Sequence, residues 1–184
     1  MRRVVFAILL FACTARAEAP WQPSDGELHQ GKIVHGPEDI SYMLVRAPLD
    51  ACWRRLTDVE HWTTMFSDLR SVRALGGNRF AFVAKAPSPF GDKKYTLVFA
   101  QRPTQQRLEF ALDKTQPADV KDVSGRWELR SVDGGAATLV VYHGKFDAGM
   151  YIPGFLRRRM NESLMGDFRG FMQKQALTAA AGGK

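Results

Sequence analysis

Cysteine is nearly absent from this chain, at two in 184 residues, Cys13 and Cys52. Cys13 closes an N-terminal apolar run, so removal of that run leaves Cys52 alone and excludes an internal disulfide. The fold must then hold by packing, with Cys52 as a small buried apolar residue. Histidine is also scarce. His29, His35, His61 and His143 include no pair at metal-ligand spacing, so neither a structural nor a catalytic metal is expected. Gly-x-Ser-x-Gly, a phosphate loop and a dinucleotide fingerprint are all missing, so enzyme readings lose their usual footholds and no cofactor is expected. Asp58 and His61 stand three apart and can meet on a helical turn, where a cap and surface pair is favoured over an acid–base dyad. No internal repeat or low-complexity segment stands out.

What remains suits one globular domain: 45% hydrophobic, 24% charged, and long enough to bury a core. The N-terminus stands apart. Met1-Arg2-Arg3 is a basic head, residues 4–13 are apolar, and Ala15-Arg16-Ala17 fits a small-x-small cleavage site. Ten apolar residues are too few to span a bilayer, and the layout is that of a secretory signal peptide covering residues 1–17. A periplasmic or secreted protein is expected. Leu10-Phe11-Ala12-Cys13 is a partial lipobox interrupted by the bulky Phe11, so a lipoprotein anchored at Cys13 is the alternative. Cleavage after Ala17 removes Arg2, Arg3 and Arg16 and no acid, so the formal charge of +7 falls to +4. Much of the basic character therefore belongs to the signal, and nucleic-acid binding is not expected.

Residues 18–31, with Pro20, Pro23 and Gly26, read as an irregular lead-in. A domain over 32–178 follows, then a flexible small-residue tail at 179–184. Residues 32–35 suit a short strand and 40–46 a clear one. Pro48 then initiates a helix with Cys52, Trp53 and Leu56 at helical spacing. A second short helix, 59–66, places Trp62 and Phe66 four residues apart. Alternation of period two takes over in strands at 69–75, 79–85, 94–101, 107–112, 123–131 and 137–146. Turn residues such as Gly76-Gly77-Asn78 and Asp133-Gly134-Gly135 join several of these strands, as antiparallel hairpins require. One face carries Phe80 and Phe82, Tyr95, Leu97 and Phe99, Leu108 and Phe110, and Trp127 and Leu129. The other carries Ser124, Arg126, Glu128 and Arg130, a solvated face.

From Pro153 a long amphipathic helix follows. Leu156, Met160, Leu164, Phe168 and Phe171, with Met172, form one stripe, and Arg157, Arg158, Arg159, Glu162, Arg169 and Lys174 face the other way. Such a helix, about 35–40 Å long at 1.5 Å per residue, is expected to cross the face of the sheet. A curved sheet gripped in this way tends to enclose a cavity.

Three stretches carry a resemblance to a known family. Residues 47–62, with Pro48, Asp58 and Trp62, look like the opening segment of the helix-grip superfamily. That superfamily comprises START lipid-transfer domains, polyketide cyclase-like proteins and the major birch-pollen allergen. Residues 89–95 (Pro-Phe-Gly-Asp-Lys-Lys-Tyr) are similar to a START strand start, though the usual Asp-Arg-Asp is not kept. Residues 147–156 (Asp-Ala-Gly-Met-Tyr-Ile-Pro-Gly-Phe-Leu) resemble the last START loop and the start of the closing helix. The resemblance spans about residues 40–177. It implies an α+β helix-grip fold, with a curved antiparallel sheet wrapped around the C-terminal helix and two short helices after the first strand.

The resemblance also implies a hydrophobic-ligand pocket with residues 150–155 in its gate. Trp62, Phe66, Phe82, Phe99, Phe110, Trp127, Tyr142, Ile152, Phe155, Met160, Leu164 and Phe168 are the expected lining. For Tyr142 or His143, a polar contact to a ligand headgroup stands beside a structural hydrogen bond. Arg157, Arg158 and Arg159 are placed to touch anionic lipid headgroups, with a plain solvated face as the alternative. The leading expectation is an exported, monomeric, non-catalytic carrier of a lipid or other hydrophobic small molecule. A cyclase- or hydratase-like enzyme in the same cavity and a partner-binding protein are the alternatives.

Overall fold

The computed structural model describes residues 28–36, 40–85 and 91–181, the last five by their backbone alone. The expected signal peptide, Cys13, most of the lead-in, the Pro89-Phe90 pair and the end of the tail lie outside the described residues. The order is β1 (Val34–His35), β2 (Ile40–Val45), α1 (Leu49–Thr57), a 3₁₀ turn (Val59–His61) and α2 (Trp62–Met65). Then come β3 (Leu69–Gly76), β4 (Arg79–Ala84), β5 (Lys93–Arg102), β6 (Arg107–Leu112), β7 (Asp122–Val132), β8 (Ala137–Asp147) and α3 (Gly154–Ala181).

All eight strands join one antiparallel sheet in the order β1-β2-β8-β7-β6-β5-β4-β3. The hairpins follow from their turn residues. Between β3 and β4, Gly77 and Asn78 both take positive φ, 59° and 58°, the tight primed turn whose twist matches the strands it joins. The pair β7–β8 is the longest, in register from Asp122↔Asp147 to Val132↔Ala137, and β2 closes onto the far side of β8. The fold class is the α+β helix-grip arrangement anticipated from the sequence.

Alternation sorts the two faces. The inner face sends Phe82, Leu97, Phe99, Leu108, Trp127 and Val140 into the main core, which Cys52 and Leu56 of α1 and Trp62 and Met65 of α2 close from above. Trp62 donates its indole N–H to the Leu56 carbonyl at 3.0 Å, which satisfies its one polar atom. On the outer face Glu128 meets Arg126, Arg107 and Arg130 at 2.6, 3.5 and 3.6 Å. Partial burial acts to raise the Glu128 carboxyl, but the Arg126 hydrogen bond and the three arginine charges outweigh it and hold it below the ordinary range. A second apolar cluster on this face, Tyr42, Leu44, Ala137 and Val141, is covered by Leu28. Leu28 sits in a helical turn closed by Gly31 N–H donating to its carbonyl at 2.9 Å, so the end of the lead-in is ordered where an irregular stretch was expected.

Helix α3 departs from expectation in two respects. It runs to Ala181, past the expected boundary at residue 178, because alanines at 179–181 are the best helix formers available. Its buried side chains are Met165, Phe168 and Met172, whereas the expected stripe included Leu156 and Met160 and left out Met165. Leu164 and Phe171 pack on the core from its margin. The reason is where the helix meets the sheet. No residue from 154 to 164 is buried, and the polar ties that fix the seat run from Glu162 to Arg169. Glu162 meets His35 Nε2 at 2.9 Å, Ser163 donates to Asp68 at 3.2 Å, and Arg169 donates to the Gly31 carbonyl. Asp167 accepts from both the backbone N–H and the hydroxyl of Ser67, each at 2.7 Å. The N-terminal half of the helix thus overhangs, and its C-terminal half is seated. Asp167→Ala removes two charge-assisted hydrogen bonds at an exposed site and should cost about 1–2 kcal/mol, read as a lower denaturant midpoint. An unchanged midpoint would show that the seat is held by Met165, Phe168 and Met172 alone.

Candidate functional site

The expected lining residues separate into two groups. Trp62, Phe66, Phe82, Phe99, Phe110, Trp127 and Phe168 are buried and pack ring against ring. Trp62 lies 5.1 Å from Phe66 and 5.4 Å from Phe99, edge to face. Phe99 meets Phe82 and Phe110, each at 6.1 Å. Trp127 bridges Phe66 at 6.2 Å and Phe168 at 5.9 Å, so sheet, α2 and α3 share one aromatic junction. Tyr142 joins this network at 4.5 Å from Trp127. Leu164 packs on its margin. The others lie at the rim: Ile152 is half-buried before α3, and Phe155 and Met160 are 75% and 41% exposed.

Empty space lies at one end of this core, beneath the overhang of α3. A half-open cleft of about 250 Å³ is lined by residues 143–146 of β8 and by Arg157, Met160 and Asn161 of α3. Of the expected lining, Met160 is the member that reaches it. Phe146, Gly144 and Asn161 were missed by sequence reasoning. Phe146 was recoverable, because it shares the inward parity of Tyr142 along β8. Gly144 was not, because its role depends on what lies over it: a Cβ there would overlap the Tyr142 hydroxyl. Gly125 faces Gly144 directly in the β7–β8 register, and this pair of glycines lets the Tyr142 and Phe110 rings lie nearly parallel, 13° apart with centroids at 6.4 Å.

Electrostatically the inner side is quiet. Burial pushes the Tyr95 phenol up to about 12 and the Tyr142 phenol higher still, with charge on Tyr95 opposing charge on Tyr142. Burial likewise pushes the Cys52 thiol up to about 11, so it stays protonated and unreactive. His143 points outward, its Nδ1 3.1 Å from Arg126 Nη1. His61 and Asp58 form the expected surface pair at 2.7 Å; hydrogen bonding to Asp58 raises the His61 pKa. Among the described residues no group of three or more His, Cys, Asp or Glu could hold a metal ion, and no helix is long and apolar enough to cross a membrane.

A gripped helix with a cleft beneath its free end defines a ligand-binding helix-grip domain. The chain belongs to the family described as polyketide cyclase/dehydrase and lipid transport, whose model matches residues 45–173. No curated protein sequence matches it. Among solved structures it is similar to a START superfamily protein from Mycobacterium smegmatis, with TM-score 0.63 and 12% identity, covering 74% of this chain and 97% of that one. It is also similar to a STAR-related lipid transfer protein fragment from Xanthomonas axonopodis, with TM-score 0.59 and 13% identity, covering 77% and 98%. A third similar structure is the Zhui aromatase/cyclase from Streptomyces sp. R1128, with TM-score 0.57 and 19% identity, covering 79% and 96%. At these identities the likenesses establish the fold and leave the activity open. The resemblance read from the sequence is borne out.

Proposed function

We propose that this domain is an exported, non-catalytic carrier that holds a lipid or other hydrophobic small molecule beneath the overhang of α3 and exchanges it at a membrane surface. One observation carries the reading. Met150, Tyr151, Phe155 and Met160 are 47%, 86%, 75% and 41% exposed; the first three lie in the loop and first turn that lead into α3, and Met160, further along the helix, lines the cleft. Solvating four large apolar side chains around one opening is unfavourable, and the cost is removed when they meet lipid. Arg157, Arg158 and Arg159 stand in the same turn, each contributing about 1 kcal/mol near an anionic surface. A cleft of about 250 Å³ is smaller than most sites for drug-sized ligands, which run about 300–1,000 Å³. Full loading therefore needs the overhang to lift, and its lack of buried residues permits that.

The test is co-flotation of the mature protein with vesicles containing phosphatidylglycerol, followed by native mass spectrometry and organic extraction of the protein from a periplasmic fraction. Wild type should float. Phe155→Asp should lower binding about tenfold, and Arg157→Gln, Arg158→Gln and Arg159→Gln together by about a hundredfold or more. A defined co-purifying lipid would name the cargo class, and an N-terminus at Glu18 would support export. Equal binding by wild type and Phe155→Asp, with no cargo extracted, would sink the proposal. The ring-on-ring packing of the core aromatics favours a second reading, a module that docks a protein through the same rim, and that result would move the weight there.

A further inference from the structure

We propose that the Tyr142 hydroxyl, backed by that of Tyr95, is a recognition subsite at the cleft floor for a neutral oxygen, a hydroxyl or carbonyl, carried by an otherwise apolar ligand. The inference rests on the reading that the cleft takes a hydrophobic ligand.

Position comes first. Gly144 lines the cleft, and the Tyr142 hydroxyl occupies the space a Cβ at Gly144 would fill. The phenol therefore lies along β8 with its oxygen against Gly144, itself a lining residue, in a depression that two facing glycines leave open. Tyr95 stacks on Phe82 at 5.7 Å and 9° and is close enough for its charge to oppose charge on Tyr142.

Partners come second. Several other interior polar side chains are matched. Thr138 donates to the Ala47 carbonyl at 2.8 Å, Ser41 meets His35 Nδ1 at 3.0 Å, and Trp62 donates to the Leu56 carbonyl at 3.0 Å. Neither the Tyr95 nor the Tyr142 hydroxyl makes a hydrogen bond within the described residues. Both tyrosines are half-buried, and a phenol with no protein partner keeps its donor and its acceptor for whatever enters beside it. A hydroxyl kept at the floor of a cleft has a use when a ligand completes it.

Chemistry decides the class. Both phenols stay protonated through the physiological range, so each can donate to a carbonyl or accept from an alcohol. A carboxylate or phosphate at that depth would meet neutral phenols and no cation, because Lys145 is turned to Asp122 at 3.2 Å on the outer face and Arg157 stands exposed on α3. A charged headgroup thus stays at the mouth, and the floor selects a neutral oxygen.

The probes are n-octane, 1-octanol, 2-octanone and octanoate, titrated into the full mature chain by calorimetry. Wild type should bind octanol and octanone about tenfold tighter than octane, the worth of one net hydrogen bond. Tyr142→Phe should erase most of that preference, leave octane affinity unchanged and keep or slightly raise the melting temperature. Tyr95→Phe should erase a smaller part. Octane and octanol bound equally well by wild type, a preference surviving in Tyr142→Phe, or a marked fall in melting temperature for that variant would each overturn the subsite while leaving the carrier reading intact. Failure of all four probes to bind would overturn the carrier reading and the subsite with it.

Discussion

Trp127→Ala should remove about 3–5 kcal/mol of unfolding free energy, the range for emptying a large aromatic site in a packed core. At 1% exposure Trp127 gives up essentially all its surface to protein, and its neighbours come from every layer. Phe66 at 6.2 Å follows α2, Phe168 at 5.9 Å lies on α3, and Tyr142 at 4.5 Å is its cross-strand partner. Those neighbours hold one another in place, so the site cannot collapse cheaply and the cavity term stays near its full size. Domains of this kind have about 5–15 kcal/mol in total, so the variant should be partly unfolded at modest urea. Trp127→Phe keeps a ring in the junction and should lose less, about 1–3 kcal/mol. Urea melts of both variants, followed by far-ultraviolet circular dichroism, give the comparison. A loss below 1 kcal/mol for Trp127→Ala would mean that the junction is slack and that the inner aromatics are not a single packed unit.

The ease of reading this chain divides along the range of the interactions involved. Strands β4 to β8 were legible because period-two alternation and the turn residues between them are local, and the observed ends fall within a residue of those read from the pattern. α3 was legible as a helix for the same reason. Its seat was not. Period 3.6 cannot choose between a stripe through Met160 and Leu164 and one through Met165 and Met172. Asp167 with Ser67, and Glu162 with His35, make the choice across 100 and 127 residues of sequence. The aromatics named as lining were correctly read as inward-facing, since inward parity is local. Which inward residues border empty space depends on the β7–β8 register and on a ring lying over a glycine, and neither is written in any one segment. Gly144 escaped notice on that account, and Tyr95, read as inward-facing, was not named as lining.

Gly125→Ala should be nearly as damaging as the loss of Trp127, at about 3 kcal/mol, although alanine is ordinarily the better strand residue by about 0.5–1 kcal/mol. The sign reverses because of where the added methyl would go. It would overlap the His143 carbonyl oxygen and come within 2.8 Å of Phe110 Cζ and 2.9 Å of Gly144 Cα. Two of those three atoms are backbone of β8, which no rotamer change can move. Relief requires β7 and β8 to part at the fourth of their eleven register pairs, breaking the ladder on which the cleft floor is built. Gly144→Ala is the instructive contrast. The three atoms nearest its methyl all belong to the Tyr142 side chain, which has rotamer freedom that backbone lacks, so that variant should melt closer to wild type while displacing the phenol. Thermal melts should therefore rank wild type, Gly144→Ala, then Gly125→Ala, and octanol preference should be lost already at Gly144→Ala. If Gly125→Ala melts at or above the wild-type temperature, the close approach of the two glycines is not a steric requirement, and the depression that holds Tyr142 flat loses its physical basis.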